Sequence, residues 1–214
     1  MFILTSYMSS TPPYKVVRFD EAKDVYRYLT ADYWNWIHED GCDARFDRGY
    51  VAFLRDDIIG GKRKKGDPPF KKSIRIRQGS NIFFPVYHIH ICERDPHPDG
   101  APCGSIDRCV EAAYEDLSQL ERMYAEITIN NGVRKPITNN LNNHKVTLAP
   151  FTLKVPPNNL NREPDYHLNP GIYDGVVRGT YMYLINFQKG TYALYFGGVA
   201  SNYFTHSEYT VHVI

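Results

Sequence analysis

The chain has 214 residues, 43% of them hydrophobic, with 25 Lys and Arg against 24 Asp and Glu. That length supports one domain or two small ones with a core that needs no staples, and a net charge of +1 gives no global pull toward nucleic acid or anionic lipid. No apolar run is long enough to span a membrane, and the apolar start, Met1 to Leu4, turns polar at Thr5 and Ser6, too early for a signal peptide.

The 17 Tyr and 11 Phe, with 14 Pro and 15 Gly, point to strands and turns, because aromatics suit pleated surfaces and Gly and Pro punctuate them. Residues 1–18 read as an extended arm. Asp20 offers a cap for a helix over Glu21 to Leu29. Thr30 offers a second cap before Ala31 to Ile37, and Gly41 would end that helix. Gly49 to Leu54 reads as a buried strand, and Gly60 to Lys72 as a basic loop. Ser73 to Arg77 alternates, Gln78 to Asn81 forms a turn, and Ile82 to Cys92 is the longest strand candidate. After a loop rich in Pro and Gly, Ser105 caps a helix running to about Tyr124, with Ile106, Cys109, Val110, Ala113, Leu117 and Leu120 along one stripe.

Strands follow over Ala125 to Ile129, Thr147 to Val155, Tyr181 to Phe187, Thr191 to Phe196 and Tyr203 to Ile214. A tight turn at Phe187 to Gly190 joins two alternating runs near the end, as in many immunoglobulin-like sandwiches. The expected fold is therefore mainly β: an antiparallel β-sandwich, immunoglobulin- or jelly-roll-like, with short N-terminal helices and one inserted amphipathic helix. Residues 19–214 would form a single domain.

Three constellations carry candidate chemistry. In His88-Ile89-His90-Ile91-Cys92, both imidazoles and the thiol share one face of a strand. With His97 and nearby carboxylates they would suit Zn²⁺ or another divalent ion, in a metal-binding protein or a metal-dependent hydrolase. The plain reading of the same strand is an ordinary half-exposed one, with Tyr87, Ile89 and Ile91 on its apolar face and two idle histidines on the other. Lys62, Arg63, Lys64, Lys65, Lys71 and Lys72 form a basic run, continued by Arg75 and Arg77. It suits a polyanion or serves as a solvated loop, and no nucleic-acid signature surrounds it. Trp34, Trp36, Tyr181, Tyr183 and Tyr192 are candidates for stacking on sugar rings, or else for core and cross-strand pairs. The acids Glu39, Asp40, Asp43 and Asp47 do not have EF-hand spacing. No nucleophile elbow, P-loop or dinucleotide fingerprint is present.

Several segments in order carry a resemblance: YWNW at 33–36, Cys42, GYVAFL at 49–54, SNIFFPV at 80–86, Cys92, AEITINNGV at 125–133, APFTLKVPPNNL at 149–160 and YMYLINFQKGTYALYFGG at 181–198. Over about residues 30–214 the chain resembles a family of uncharacterised, mostly secreted archaeal and bacterial proteins. The resemblance implies an extracytoplasmic, sandwich-like domain and supplies no catalytic residues. It also implies a Cys92–Cys109 disulfide, while Cys42 lacks the partner its relatives carry, because the segment SIRIRQG holds no Cys. Such a bridge would contribute roughly 3 kcal/mol. Taken with the Tyr content and the strand-rich ending, these features lead to an expectation of a non-enzymatic domain for surface, matrix or carbohydrate interaction. Its partner would be a polysaccharide or a cell-surface component.

Overall fold

The structure, a computed structural model, describes residues 12–40, 50–55, 68–93, 99–157, 170–200 and 203–214. Its elements in chain order are β1 (Lys15–Val17), α1 (Lys23–Asp40), β2 (Val51–Phe53), β3 (Phe70–Ile76), β4 (Asn81–Cys92), α2 (Ile106–Ser118), β5 (Leu120–Ile129) and β6 (Lys135–Pro136). A 3-10 turn (Leu141–His144) then leads into β7 (Lys145–Val155), β8 (Gly171–Ile185), β9 (Gly190–Ala200) and β10 (Tyr203–Val213).

Strict alternation builds one sheet. Along β9, Tyr192, Leu194 and Phe196 are buried at 1%, 0% and 0% exposure, while Thr191, Ala193 and Tyr195 between them stay partly open. A period of two places every second side chain on one face. This sheet, sheet B, has the order β3-β10-β9-β5-β6. The other, sheet A, runs β1-β8-β4-β2, with β7 also paired to β8. Between the two lies a core that includes Ile82, Phe84, Val86, Met182, Leu184, Leu194, Phe196 and Val211. The rings of Phe84 and Phe196 meet there across the sheets with centroids 4.4 Å apart. The mainly β sandwich with helices is thus observed. Two edge pairings depart from the antiparallel expectation: β2 runs parallel to β4, and β3 parallel to β10.

A bulge in β4 controls what lies outside that core. Pro85 pairs with Tyr181 and Tyr87 with Thr180, so Val86 is an extra residue with no opposite number. An extra residue inverts the facing of everything beyond it. Before the bulge, Phe83 points away from sheet B. After it, the outward positions are even-numbered: His88, His90 and Cys92. The inward ones, Ile89 and Ile91, join Val176, Cys103 and Cys109 beneath α2. Sheet A is therefore covered by α1 on its outer face. On its inner face it is covered partly by sheet B and partly by α2.

Helix α1 is continuous, where the sequence suggests two short helices broken at Thr30. Tyr26, Leu29, Tyr33 and Ile37 are all at most 5% exposed and make one helical stripe that runs straight past Thr30. With neither Gly nor Pro nearby, the cap-forming residue stays inside the helix. The second correction is at α2, which ends at Ser118 and not near Tyr124. From Leu120 the chain pairs with β9, and Ala125 and Ile127 bury with period two. Pairing to a long strand outweighs the helical stripe there. The first strand also takes residues 15–17 out of the expected arm and places them antiparallel on β8.

One hydroxyl fastens α1 to the sandwich. Tyr26, fully buried, donates its proton to the Val17 carbonyl at 2.6 Å. Its oxygen lies 2.9 Å from His144 Nδ1. Since the single hydroxyl proton is already used, His144 must donate through Nδ1–H. Burial, reinforced by Arg18, holds His144 below the ordinary imidazole value, which favours the neutral ring this arrangement uses. Tyr26→Phe is expected to leave a buried carbonyl and a buried N–H unsatisfied, costing about 1–3 kcal/mol. Urea unfolding would read this as a lower midpoint with an unchanged slope.

Candidate functional site

The histidine pair shares a face, as its spacing requires, but that face is not open. Trp34 of α1 lies over both rings, with centroid separations of 4.7 Å to His88 and 5.2 Å to His90. Trp34 Nε1 donates to the Tyr181 hydroxyl at 2.9 Å, and that hydroxyl is 3.1 Å from His88 Nδ1. His88 is only 4% exposed. Gly179, its partner on β8, makes the room: a Cβ there would lie 2.5 Å from His88 Cβ. The half-exposed strand with idle histidines is thus corrected at His88, which is buried in an aromatic–imidazole stack that seats α1, while His90 against the same Trp34 ring stays partly exposed. Among the described residues no three His, Cys, Asp or Glu converge as a metal site. His97 lies outside the described residues.

The other expected residues divide in a similar way. Tyr181 and Tyr192 are 0% and 1% exposed, so neither ring can stack on a sugar. Tyr183, Trp34 and Trp36 pack against the cluster beneath α1. Of the expected aromatic platform, Tyr181 and Tyr192 are therefore core, while Tyr183, Trp34 and Trp36 stay partly exposed. Lys62, Arg63, Lys64 and Lys65, and with them Asp43, Asp47 and Cys42, lie outside the described residues. Lys71 and Lys72 point to opposite faces of β3, and Lys71 Nζ pairs with Glu208 at 2.8 Å. The Cys92–Cys109 bridge is not formed. No disulfide links Cys92, Cys103 and Cys109. Cys92 belongs to the cluster under α1, whereas Cys109 belongs to the one under α2. Burial, then neighbouring Cys103, pushes the Cys109 thiol up to about 12.

Among the described residues, neither helix packs on the outer face of sheet B, and this face is open. Arg122, Tyr124, Glu126, Tyr195, Phe204, His206 and Glu208 alternate outward there, all at least partly exposed. One row crosses three strands: Tyr124 pairs with Gly197, and Gly197 with His206. The outer two stand two strand spacings apart, roughly 10 Å. Yet Tyr124 OH reaches His206 Nδ1 at 2.5 Å. It passes over Gly197, where a Cβ would lie 2.9 Å from that hydroxyl and 2.0 Å from the Thr205 carbonyl oxygen.

The hydrogen bonds in this row have a direction. His206 Nε2 is 3.3 Å from Glu208 Oε1. A carboxylate only accepts, so Nε2 carries the proton, and in the neutral ring Nδ1 accepts from Tyr124. Burial pushes the Tyr124 hydroxyl up to about 12, so it remains a donor at neutral pH. Next to this row, the Arg134 guanidinium lies over the Tyr195 ring at 3.9 Å and also pairs with Glu126 at 2.5 Å. The result is a flat face of rings and charged hydrogen-bonding groups, without a water-excluding cleft among the described residues.

Family models, curated proteins and solved structures give no match to this chain. What the fold and this face define is a helix-decorated β-sandwich in which the described residues leave the outer face of one sheet open.

Sequence reasoning puts Tyr181, Tyr183 and Tyr192 forward, whereas this face carries Tyr124 and Tyr195. In TYALYFGG the alternation that buries Tyr192 also turns Tyr195 outward, and in HSE at 206–208 it turns His206 and Glu208 out. Glu208 offers a pH test. Burial raises its pKa, but hydrogen bonds from Lys71 and His206 outweigh that and hold the carboxyl below the ordinary value. A depressed carboxylate stabilises the fold above its unfolded value of about 4.3, and this contribution fades as pH falls through the folded value. Glu208→Gln is therefore expected to melt lower than the parent at pH 6, with the gap closing toward pH 2–3. A gap constant with pH would assign the loss to packing.

Proposed function

We propose that this chain is a non-enzymatic interaction domain that binds carbohydrate chains on the outer face of sheet B. One observation carries this reading: a five-stranded face, uncovered among the described residues, presents Tyr124, Tyr195 and Phe204 among Arg122, Arg134, Glu126, His206 and Glu208. Sugar rings are apolar on their C–H faces and polar at their rims. A flat aromatic surface edged by hydrogen-bonding groups matches both. The Arg134 guanidinium on Tyr195 widens that surface. Catalysis would ask for a water-excluded pocket around reacting groups, and the Tyr124–His206–Glu208 row stands on an open sheet. An extracytoplasmic setting, at a cell surface or in a matrix, is part of the proposal and rests on the resemblance of the ordered segments.

A glycan array followed by affinity electrophoresis in neutral and acidic polysaccharides tests it. The parent protein is expected to bind at least one polysaccharide. Tyr195→Ala, on the solvent side and outside the core, is expected to weaken that binding about three- to tenfold. Absence of any retention at high micromolar protein, or retention indifferent to Tyr195→Ala and to Phe204→Ala, would overturn the proposal.

A further inference from the structure

Away from that face, a cavity of about 250 Å³ opens where α2, β5 and β8 meet. It holds about eight waters' share of liquid volume. Its walls include Tyr87, Tyr114, Ser118, Lys145, Arg178 and Thr180, and none of its lining residues is acidic. Two cations and several hydroxyls thus line one small space.

Arg178 is the centre of this space. Its guanidinium carbon sits 3.1 Å from the centroid of the Tyr114 ring. Stacking covers the face of the planar group and leaves its N–H bonds in the plane, where they need acceptors. Among the described residues, Arg178 Nη1 is buried and has no hydrogen-bond partner. A buried donor left unmet costs about 1–3 kcal/mol, and more on a charged group. The surrounding sheet cannot relax to meet it. Arg178 pairs with Ile89 on one side and Thr147 on the other, and neither brings an acidic side chain.

The geometry points to a binding site for a small oxyanion, a carboxylate or phosphate group carried on a molecule of metabolite size, held by Arg178 and Lys145 beneath α2. Such a group supplies what the cavity lacks. It accepts in the guanidinium plane as a bidentate pair, it balances two positive charges, and a remaining oxygen can accept a hydrogen bond from the Thr180 hydroxyl, the Ser118 proton being held by the Glu115 carbonyl. The apolar body of the ligand would lie along Tyr87 and Tyr114. The glycan face is on the other side of sheet B, so the two sites are separable by mutation.

The test is calorimetric titration of the intact chain with inorganic phosphate, and separately with acetate and sulfate, at constant ionic strength. Saturable binding of at least one of them is expected. Arg178→Gln should weaken it at least about tenfold, the worth of one charge-assisted hydrogen bond. Lys145→Gln, an exposed position that the fold does not need, should weaken it several-fold, and it decides the matter if the Arg178 variant does not fold. Tyr195→Ala, on the opposite face, should leave it unchanged. No saturable binding by the parent up to roughly 10 mM, a weaker range than an Arg-anchored oxyanion should need, would overturn the proposal. So would equal binding by Lys145→Gln and the parent.

Discussion

A single unpaired residue, Val86, sets the arrangement of everything outside the sandwich core. Without its bulge, the even-numbered positions of β4 would continue to face sheet B, and the two imidazoles would enter an apolar core with nothing to bond. With it, His88 and His90 turn to the far side, where Trp34 and the Tyr181 hydroxyl receive them. The same inversion brings Ile89 and Ile91 under α2. One helix is thereby seated on each face of sheet A. Burying a polar pair without partners would cost several kcal/mol, so the bulge and the aromatic cover act together.

The two sheets consequently have different roles. Sheet A is a structural slab: α1 packs on its outer face, and sheet B and α2 share its inner face. Among the described residues, sheet B is covered on the inside only. Its outer face alternates cleanly, half of each strand going to the core and half to water, which is the usual pattern of a one-sided antiparallel sheet. This asymmetry explains why His88 and His206 behave so differently. His88 is a packing element held among rings. His206 is a link in an exposed hydrogen-bonded row whose span depends on the absence of a side chain at Gly197.

The sequence makes the alternating half of the fold legible. Tyr192, Leu194 and Phe196 declare one face, Tyr209, Val211 and Val213 another, and a period of two needs no tertiary information. The fused α1 was hidden because Thr30 is a plausible cap, and only burial of Tyr33 beside Tyr26 shows the stripe crossing it. The first half of β8 was missed because Gly171, Asp174, Gly175, Arg178 and Gly179 carry no strand signal. They pair because β4 and β7 flank them on both sides. The H-x-H spacing gave the shared face correctly. It gave the wrong environment, because a bulge and a helix more than fifty residues away decide whether that face is wet. Arg178 carries no sequence signal at all, since its significance lies in the cavity and in what surrounds it.

The ends of the sheets have a bearing on how this chain behaves at high concentration. A sheet margin is a template on which another chain can add strands, and natural proteins shorten or charge their margins against it. Sheet B ends at β6, two residues long and containing Pro136, which has no N–H to offer. At its other margin β3 carries Lys71, Lys72 and Arg75. Sheet A ends at β2, three residues long, on one side; on the other, the equally brief β1 shares the margin with β7, eleven residues long and interrupted by Pro150. Sheet B is thereby guarded at both of its margins, and sheet A at part of its own. Copies at high concentration would be discouraged from zipping edge to edge along those margins into fibres.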